Sequence, residues 1–107
     1  MIEESIEQAS ENVFKIGLFA ANCSGGIAAT NVKERWQPTW QNNLDLAQMA
    51  DKAGLEFMLP LGRWAGYGGE NDHNGVSFET LLWSAGLLAA TKRIIAFSTL
   101  HVAMINP

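Results

Sequence analysis

The order of apolar and amphipathic segments is the feature that most constrains how this chain can fold. Three short apolar runs alternate with two longer segments in which apolar residues recur at helical spacing. The apolar runs are 13–20 (VFKIGLFA), 55–61 (LEFMLPL) and 94–100 (IIAFSTL). The first does not alternate apolar with polar residues, which is typical of a parallel strand covered on both faces. The sequence therefore predicts an α/β fold, a parallel βαβαβ unit with right-handed crossovers.

Local signals predict where the two helices begin and end. Thr39 is a suitable N-cap for the first helix, and Gly54 is suitable as the glycine that ends it. Ser77 is expected to cap the second helix, with Glu79 in its first turn and Lys92-Arg93 at its negative end. The expected core-facing stripes are Trp40, Leu44, Ala47 and Ala50 in the first helix, and Phe78, Leu82, Ala85 and Ala89, widened by Leu81 and Leu88, in the second.

Length and composition exclude several classes of protein. The 107 residues are enough for one domain, and a hydrophobic content of 48% with only 17% charged residues argues against disorder. No apolar run reaches the roughly 20 residues of a membrane helix, and the acidic start does not resemble a secretory signal. One cysteine and two histidines are too few for a structural zinc site and indicate a reducing, cytoplasmic setting.

The net charge of −4 is concentrated at the N-terminus. Four of the 11 acidic residues lie in residues 1–12, and the other seven balance the seven lysines and arginines. We interpret residues 1–12 as an acidic extension and residues 13–107 as the folded part. Because that part has no basic stripe, nucleic-acid binding is not expected.

The two strand-to-helix connections are about 15 and 17 residues long, well above the usual few. Long loops at the carboxyl ends of parallel strands are where α/β folds commonly place their sites. Asn22, Gly62-Arg63, Thr99 and His101 follow the three strands, so they are expected to cluster at one end of the sheet. Gly54 and Lys92-Arg93 are expected at the opposite end.

Four segments together resemble one known family. They are FKIGLFAANCSGG, ERWQPTWQNNLDLAQMADKAGLEFMLPLGRWAGYGG, ETLLWSAGLLAATKRI and FSTLHVAMINP. In this order and spacing they resemble the N-terminal third of the bacterial-luciferase-like flavin monooxygenases. Within that family the likeness is to the branch of the alkanesulfonate, dimethylsulfone and pyrimidine monooxygenases, and it runs from about Phe14 to Pro107.

The resemblance implies a fold and a chemistry. The family fold is a (β/α)8 barrel, of which this chain would supply the first three strands as a truncated barrel. Members use reduced FMN (FMNH2), delivered by a separate NAD(P)H-dependent reductase, and oxygenate a small molecule with O2 through a C4a-peroxyflavin. The expected substrate is a small organosulfur compound. The alternatives are a pyrimidine-ring-opening oxygenase and a half-barrel fragment that is non-catalytic or has no function. The resemblance also implies a homo-oligomer at full length and an inactive isolated 107-residue chain.

The resemblance also implies candidate site residues, although it identifies no catalytic residue. Gly62, Arg63, Thr99 and His101 are the expected cofactor-binding residues. Because they follow the first two strands, Asn22, Trp64 and Tyr67 are expected to line the substrate pocket. The alternative interpretation of His101, which the sequence slightly favours, is a partly buried structural histidine.

Other polar residues are expected to have no functional role. Cys23 is interpreted as a small loop residue, since nothing basic is near it in sequence. No metal is expected, and Glu70, Asp72 and His73 are interpreted as a solvated loop. Asn106-Pro107 stands where many family members have His-Pro, and the family's phosphate-binding residues lie in later strands.

Overall fold

A computed structural model describes residues 12–102 and has the predicted order of elements. These are β1 (Gly17–Phe19), α1 (Trp40–Ala53), β2 (Phe57–Leu59), α2 (Thr80–Ala90) and β3 (Ile95–Ala96). The strands are parallel, in the order β1-β2-β3. Apart from Asn12, the acidic extension lies outside the described residues, as does Asn106-Pro107. Among residues 12–102, neither helix combines the length and the apolar character that crossing a bilayer requires.

The strands are shorter than the apolar runs that predict them. Leu18 pairs with Met58, which pairs in turn with Ala96. Val13 and Phe14, expected in the first strand, are exposed, at 104% and 79%. Just before the paired residues, the backbone N–H of Glu56 donates to the Ile16 carbonyl at 2.9 Å, and the Glu56 carboxylate accepts the Ile16 N–H at 2.7 Å.

One face of the sheet packs against both helices and forms the core. Successive strand residues point to opposite faces, so Leu18, Met58, Ile94 and Ala96 face the helices. The buried core also contains Ala47, Ala50, Trp83 and Leu87. Trp83 donates its indole N–H to the side-chain oxygen of the buried Asn43 at 2.8 Å, which joins α2 to α1.

The other face of the sheet is apolar but is not covered by the described residues. It carries Phe19, Phe57 and Phe97, and the rings of Phe57 and Phe97 meet edge to face at 5.8 Å. Phe19 and Phe97 are each 46% exposed. The prediction that the first strand is covered on both faces is therefore wrong for this part of the chain, because both helices lie on the same side.

The predicted ends of α1 are confirmed. The Thr39 hydroxyl accepts the backbone N–H of Asn42 at 3.0 Å. Gly54 has φ +84° and donates its N–H to the carbonyls of Ala50 and Asp51, a left-handed conformation that favours glycine. The predicted stripe holds for Ala47 and Ala50, which are buried, while Trp40 is 39% exposed and lies edge-on to Phe78.

The predicted start of α2 is wrong. Glu79, not Ser77, is the N-cap, and its carboxylate accepts the backbone N–H groups of Leu81 and Leu82 at 3.0 and 2.8 Å. Ser77 instead donates its hydroxyl to the carbonyl of Arg63 at 3.0 Å. The helix ends at Ala90, so Lys92-Arg93 lies beyond its last turn.

The predicted buried stripe of α2 is also wrong. The buried residues are Thr80, Trp83, Ser84 and Leu87, whereas Leu82 is 76% exposed. Polar residues face inward because their hydroxyls bond to carbonyls of the chain after β3. Thr80 donates to Thr99 at 2.5 Å, and Ser84 donates to Phe97. Since α2 is apolar on nearly every side, periodicity alone does not select its inner face.

Candidate functional site

The carboxyl ends of β2 and β3 meet at one point. The Nε2 atom of His101 lies 2.7 Å from the carbonyl oxygen of Gly62. Because a carbonyl oxygen can only accept, Nε2 is the donor in this hydrogen bond. A Cβ atom built on Gly62 would lie 2.9 Å from the Thr99 hydroxyl oxygen. Gly62 therefore allows the two segments to approach each other, and a larger residue here would push Thr99 away.

A groove of about 350 Å³ opens at this junction. Its walls come from the loop after β2, the start of α2 and the segment after β3. The lining residues are Gly62, Arg63, Trp64, Ser77, Phe78, Glu79, Thr80, Thr99, Leu100 and His101. Four predicted cofactor residues (Gly62, Arg63, Thr99 and His101) and Trp64 are therefore brought together. Gly54 lies at the other end of the sheet, between α1 and β2.

Thr99 presents an unpartnered polar group in this groove. Its hydroxyl oxygen is buried and has no hydrogen-bond partner among the described residues. Leaving a buried polar atom unpaired costs about 1–3 kcal/mol. A hydroxyl can both donate and accept, so a carbonyl or ring nitrogen of a ligand that displaces the atoms covering it would satisfy it.

Arg63 is held in place by three neighbours. Its guanidinium carbon lies 3.8 Å from the centre of the Tyr67 ring, its Nε donates to the Ala65 carbonyl at 3.1 Å, and its own carbonyl accepts from Ser77. The planar fork is thereby oriented with N–H groups available to a carbonyl or an anion. Tyr67 does not line the groove but supports Arg63 from outside it.

Asn22 supports the site from below. The residue is fully buried, and its side-chain NH2 donates to the carbonyls of Leu61 and Phe78 at 2.9 and 3.1 Å. Its side-chain oxygen accepts the N–H of Leu61 at 2.8 Å. These bonds join the end of β1 to the end of β2, one residue before Gly62. Asn22 is not among the residues that line the groove.

Two further ionisable groups lie near the groove. Burial raises the pKa of the Cys23 thiol, and this outweighs the opposing effect of the Arg63 charge. The backbone N–H groups of Leu81 and Leu82 hold the pKa of Glu79 below its usual value. At neutral pH, Cys23 is therefore a neutral thiol and Glu79 an anion. No cluster of three metal-ligating side chains occurs among residues 12–102.

Four groove residues come from the start of α2 and were not predicted as site residues. These are Ser77, Phe78, Glu79 and Thr80. A signal for them exists, because a crossover between parallel strands places the helix N-terminus beside the carboxyl end of the preceding strand. Their capping pattern pointed only to a local structural role.

Comparison with known proteins agrees with this geometry. Residues 14–107 match the family model described as luciferase-like monooxygenase. The chain belongs to the luciferase-like monooxygenase family. This confirms the resemblance seen in the sequence.

Two kinds of curated relative match the chain. It is 36% identical over 86 residues to an FMNH(2)-dependent dimethylsulfone monooxygenase of Pseudomonas fluorescens strain Pf0-1, covering 79% of the chain and 22% of that protein. It is 31% identical over 103 residues to the pyrimidine monooxygenase RutA of Methylorubrum extorquens strain PA1, covering 94% and 27%. RutA of Bradyrhizobium sp. strain BTAi1 is 28% identical over 92 residues, covering 86% and 26%. The chain thus spans about a quarter of the length of these relatives.

Proposed function

We propose that this chain forms part of an FMN-dependent monooxygenase that oxygenates a small organosulfur compound. The observation that carries the proposal is the buried, unpartnered hydroxyl of Thr99 beside Gly62 and Arg63, at the carboxyl ends of two parallel strands. Sites in (β/α)8 barrels lie at this end of the strands.

The groove residues fit a flavin ring. The Thr99 hydroxyl has no partner among the described residues and can bond to a ring nitrogen or carbonyl. The missing side chain of Gly62 lets this hydroxyl lie directly against the loop after β2. Arg63 offers N–H donors to the ring or to an anionic substrate group. Reduced FMN, when bound, would supply the activation of O2.

The other groove residues hold these groups in place and limit proton donors. His101 fixes the Gly62 carbonyl, and Asn22 fixes Leu61 just before it. Trp64, Phe78 and Leu100 contribute apolar surface against which a ring can pack. Since Glu79 is ionised and its oxygens accept backbone N–H groups, it does not supply a proton to the groove.

The fold proposal is that β1, β2 and β3 are the first three strands of a (β/α)8 barrel spanning residues 13–107, with residues 1–12 as an extension. The parallel βαβαβ order supports it. The apolar face of Phe19, Phe57 and Phe97 supports it as well, because the inner face of such a barrel is filled with side chains. An NAD(P)H-dependent flavin reductase is the proposed redox partner.

The substrate class rests on a comparison of the relatives. The identity of 36% to the dimethylsulfone enzyme favours a small organosulfur substrate. A pyrimidine-ring-opening activity is the second candidate, and the coverage of 94% of the chain by a RutA protein favours it. Both candidates use the same groove.

Exchange of segments tests the proposal. Residues 14–107 would replace the matching segment of the Pseudomonas fluorescens dimethylsulfone monooxygenase, and in parallel that of a RutA protein. We expect the sulfone chimera to oxidise dimethylsulfone when given FMNH2 and O2. We expect the activity of the pyrimidine chimera to be at least tenfold lower than that of its parent enzyme.

The 107-residue chain alone is the matched control, with no oxygenation expected above a sample without protein. A soluble sulfone chimera that binds FMN but forms only hydrogen peroxide would contradict the substrate class. Two folded chimeras that bind no flavin would contradict the flavin site and favour a non-catalytic fragment.

A further inference from the structure

A second cavity lies between the loop after β1 and the loop after β2. Its volume is about 120 Å³, several times the roughly 10–15 Å³ that one water molecule requires. The polar residues that matter at its wall are Ser24, Arg35, Asn71, Asp72 and His73. It shares no lining residue with the groove at Gly62.

The walls of this cavity are built by hydrogen bonds between the two loops. The backbone N–H of Ser24 donates to the Val76 carbonyl at 2.8 Å, and the Val76 N–H donates to the Ser24 hydroxyl at 3.1 Å. The buried side chain of Asn74 donates to the carbonyls of Ser24 and Gly26 at 3.2 and 2.9 Å. The shape of the cavity is therefore set before any ligand enters, which reduces the entropy lost on binding.

Arg35 gives the cavity a fixed cationic donor. One guanidinium nitrogen donates to the backbone carbonyl of Asn71 at 3.1 Å, so the side chain is tied to the opposite loop. The guanidinium has five N–H donors in a planar fork that matches a two-oxygen anion. Within residues 12–102, this bond to Asn71 is the one hydrogen bond that engages it.

His73 supplies a second donor. Its Nδ1 atom is buried without a partner among the described residues and lies 3.1 Å from where a Cβ of Gly25 would be. This nitrogen lacks a partner in the described part of the chain whether it acts as a donor or as an acceptor, so it leaves an unsatisfied polar atom beside the cavity. The ring is stacked on Tyr67, with 5.6 Å between centroids. The tautomer with its proton on Nε2 offers a ligand an N–H donor from this oriented ring.

We propose that this cavity binds a small oxyanion, a sulfonate or a carboxylate, at a site separate from the flavin groove. Arg35 and His73 donate to the anion, and the amide of Asn71 and the hydroxyl of Ser24 can add donors. Asp72 is the one acidic residue at the wall. The Asp72 carboxylate lies against Gly75, and a Cβ atom built on Gly75 would come within 2.0 Å of it. The negative charge of Asp72 repels an anion and therefore weakens anion binding.

Calorimetric titration of the 107-residue chain with methanesulfonate, and separately with acetate, tests the proposal. We expect saturable binding with one ligand per chain. Arg35→Gln should weaken it at least tenfold, whereas Asp72→Asn should strengthen it severalfold. Lys33→Gln is the matched control. It also removes one positive charge, but the Lys33 side chain lies outside the cavity, two residues before Arg35 in the sequence. The ratio of the two affinities shows which oxyanion the site prefers.

No saturable binding of either anion to the chain would overturn the proposal. Equal weakening by Lys33→Gln and Arg35→Gln would also overturn it, since that is the result of diffuse charge. Because Asp72→Asn predicts a gain, misfolding of the variant cannot imitate the expected result.

Discussion

At the scale of single residues, Asp51 is a main link between the helices and the sheet at the end away from the groove. Its carboxylate accepts the backbone N–H groups of Lys92, Arg93 and Ile94 at 2.8–2.9 Å. Burial raises the pKa of Asp51, but these three bonds and the Arg93 charge outweigh it, so the net shift is downward. One side chain thereby fixes the turn that leads from α2 into β3.

Asp51→Ala should lower the free energy of unfolding by about 3 kcal/mol, because it leaves three buried or half-buried N–H groups without an acceptor. Urea denaturation at a fixed protein concentration measures this loss. Asp45→Ala is the control, since Asp45 is exposed and accepts one bond from Gln41; its effect should stay below about 0.5 kcal/mol.

The same residue predicts a pH dependence. Its pKa is lower in the folded than in the unfolded chain, where it is about 3.9. The contribution of Asp51 is therefore complete above about pH 5 and is lost as pH falls through the folded pKa. The difference in unfolding free energy between wild type and Asp51→Ala should narrow on acidification; a difference that widens below pH 4 would contradict this.

Two groove substitutions separate a charged from a neutral contact. In the sulfone chimera, Arg63→Ala should weaken flavin or substrate binding by roughly 1.5–3 kcal/mol, and Thr99→Val by about 0.5–1.5 kcal/mol. Titration with FMN and steady-state kinetics measure both. Unchanged FMN affinity and unchanged kinetics in both variants would remove these residues from the site while leaving the fold intact.

The site residues divide by what the sequence can reveal. The clustering of Gly62, Arg63, Thr99 and His101 was predictable, because strand order alone places strand ends together, while their role in binding a cofactor stays a prediction. The supporting role of Asn22 was not, since three specific bonds to Leu61 and Phe78 depend on how two distant loops meet. The burial of the His73 Nδ1 atom was not predictable either, because it depends on the approach of Gly25 from another loop.

At the scale of elements, helix ends were easier to predict than helix faces. Thr39 and Gly54 act through bonds within a few residues, so their roles follow from local sequence. The inner face of α2 depends on which carbonyls of the chain after β3 need donors. Thr80 and Ser84 meet that need, and no local pattern could rank them above Leu82.

The N-cap of α2 carries a prediction of its own. Glu79→Ala should cost about 1 kcal/mol of stability, because the N–H groups of Leu81 and Leu82 lose their acceptor. Glu79→Ser should restore most of it, as serine is a good N-cap. Glu34→Ala, an exposed loop change, is the control. Equal loss in Glu79→Ser and Glu79→Ala, measured by thermal or urea unfolding, would exclude capping as the cause.

At the scale of the whole molecule, two apolar surfaces remain exposed among the described residues. One is the sheet face that carries Phe19 and Phe97. The other, the outer face of α2, carries Leu82 at 76% exposure, Leu81 at 48% and Leu88 at 40%, without a charged residue among them. Exposed apolar patches of this kind mark contact surfaces. The sequence revealed both as apolar but did not show that they would be uncovered.

We predict that the chain self-associates through the outer face of α2. Two copies that place this face together bury the same leucines twice. Full burial of an exposed leucine contributes about 1.5–3 kcal/mol, so Leu82 contributes most and the half-buried Leu81 and Leu88 contribute less. Light scattering after size exclusion should give a mass above 11.7 kDa for the wild-type chain. Leu82→Glu should shift it toward the monomer. Met49→Glu, at an exposed apolar residue of α1, should not. If Phe97→Ser dissociates the assembly and Leu82→Glu does not, the copies meet through the sheet face instead. A monodisperse wild-type monomer would rule out self-association through either surface.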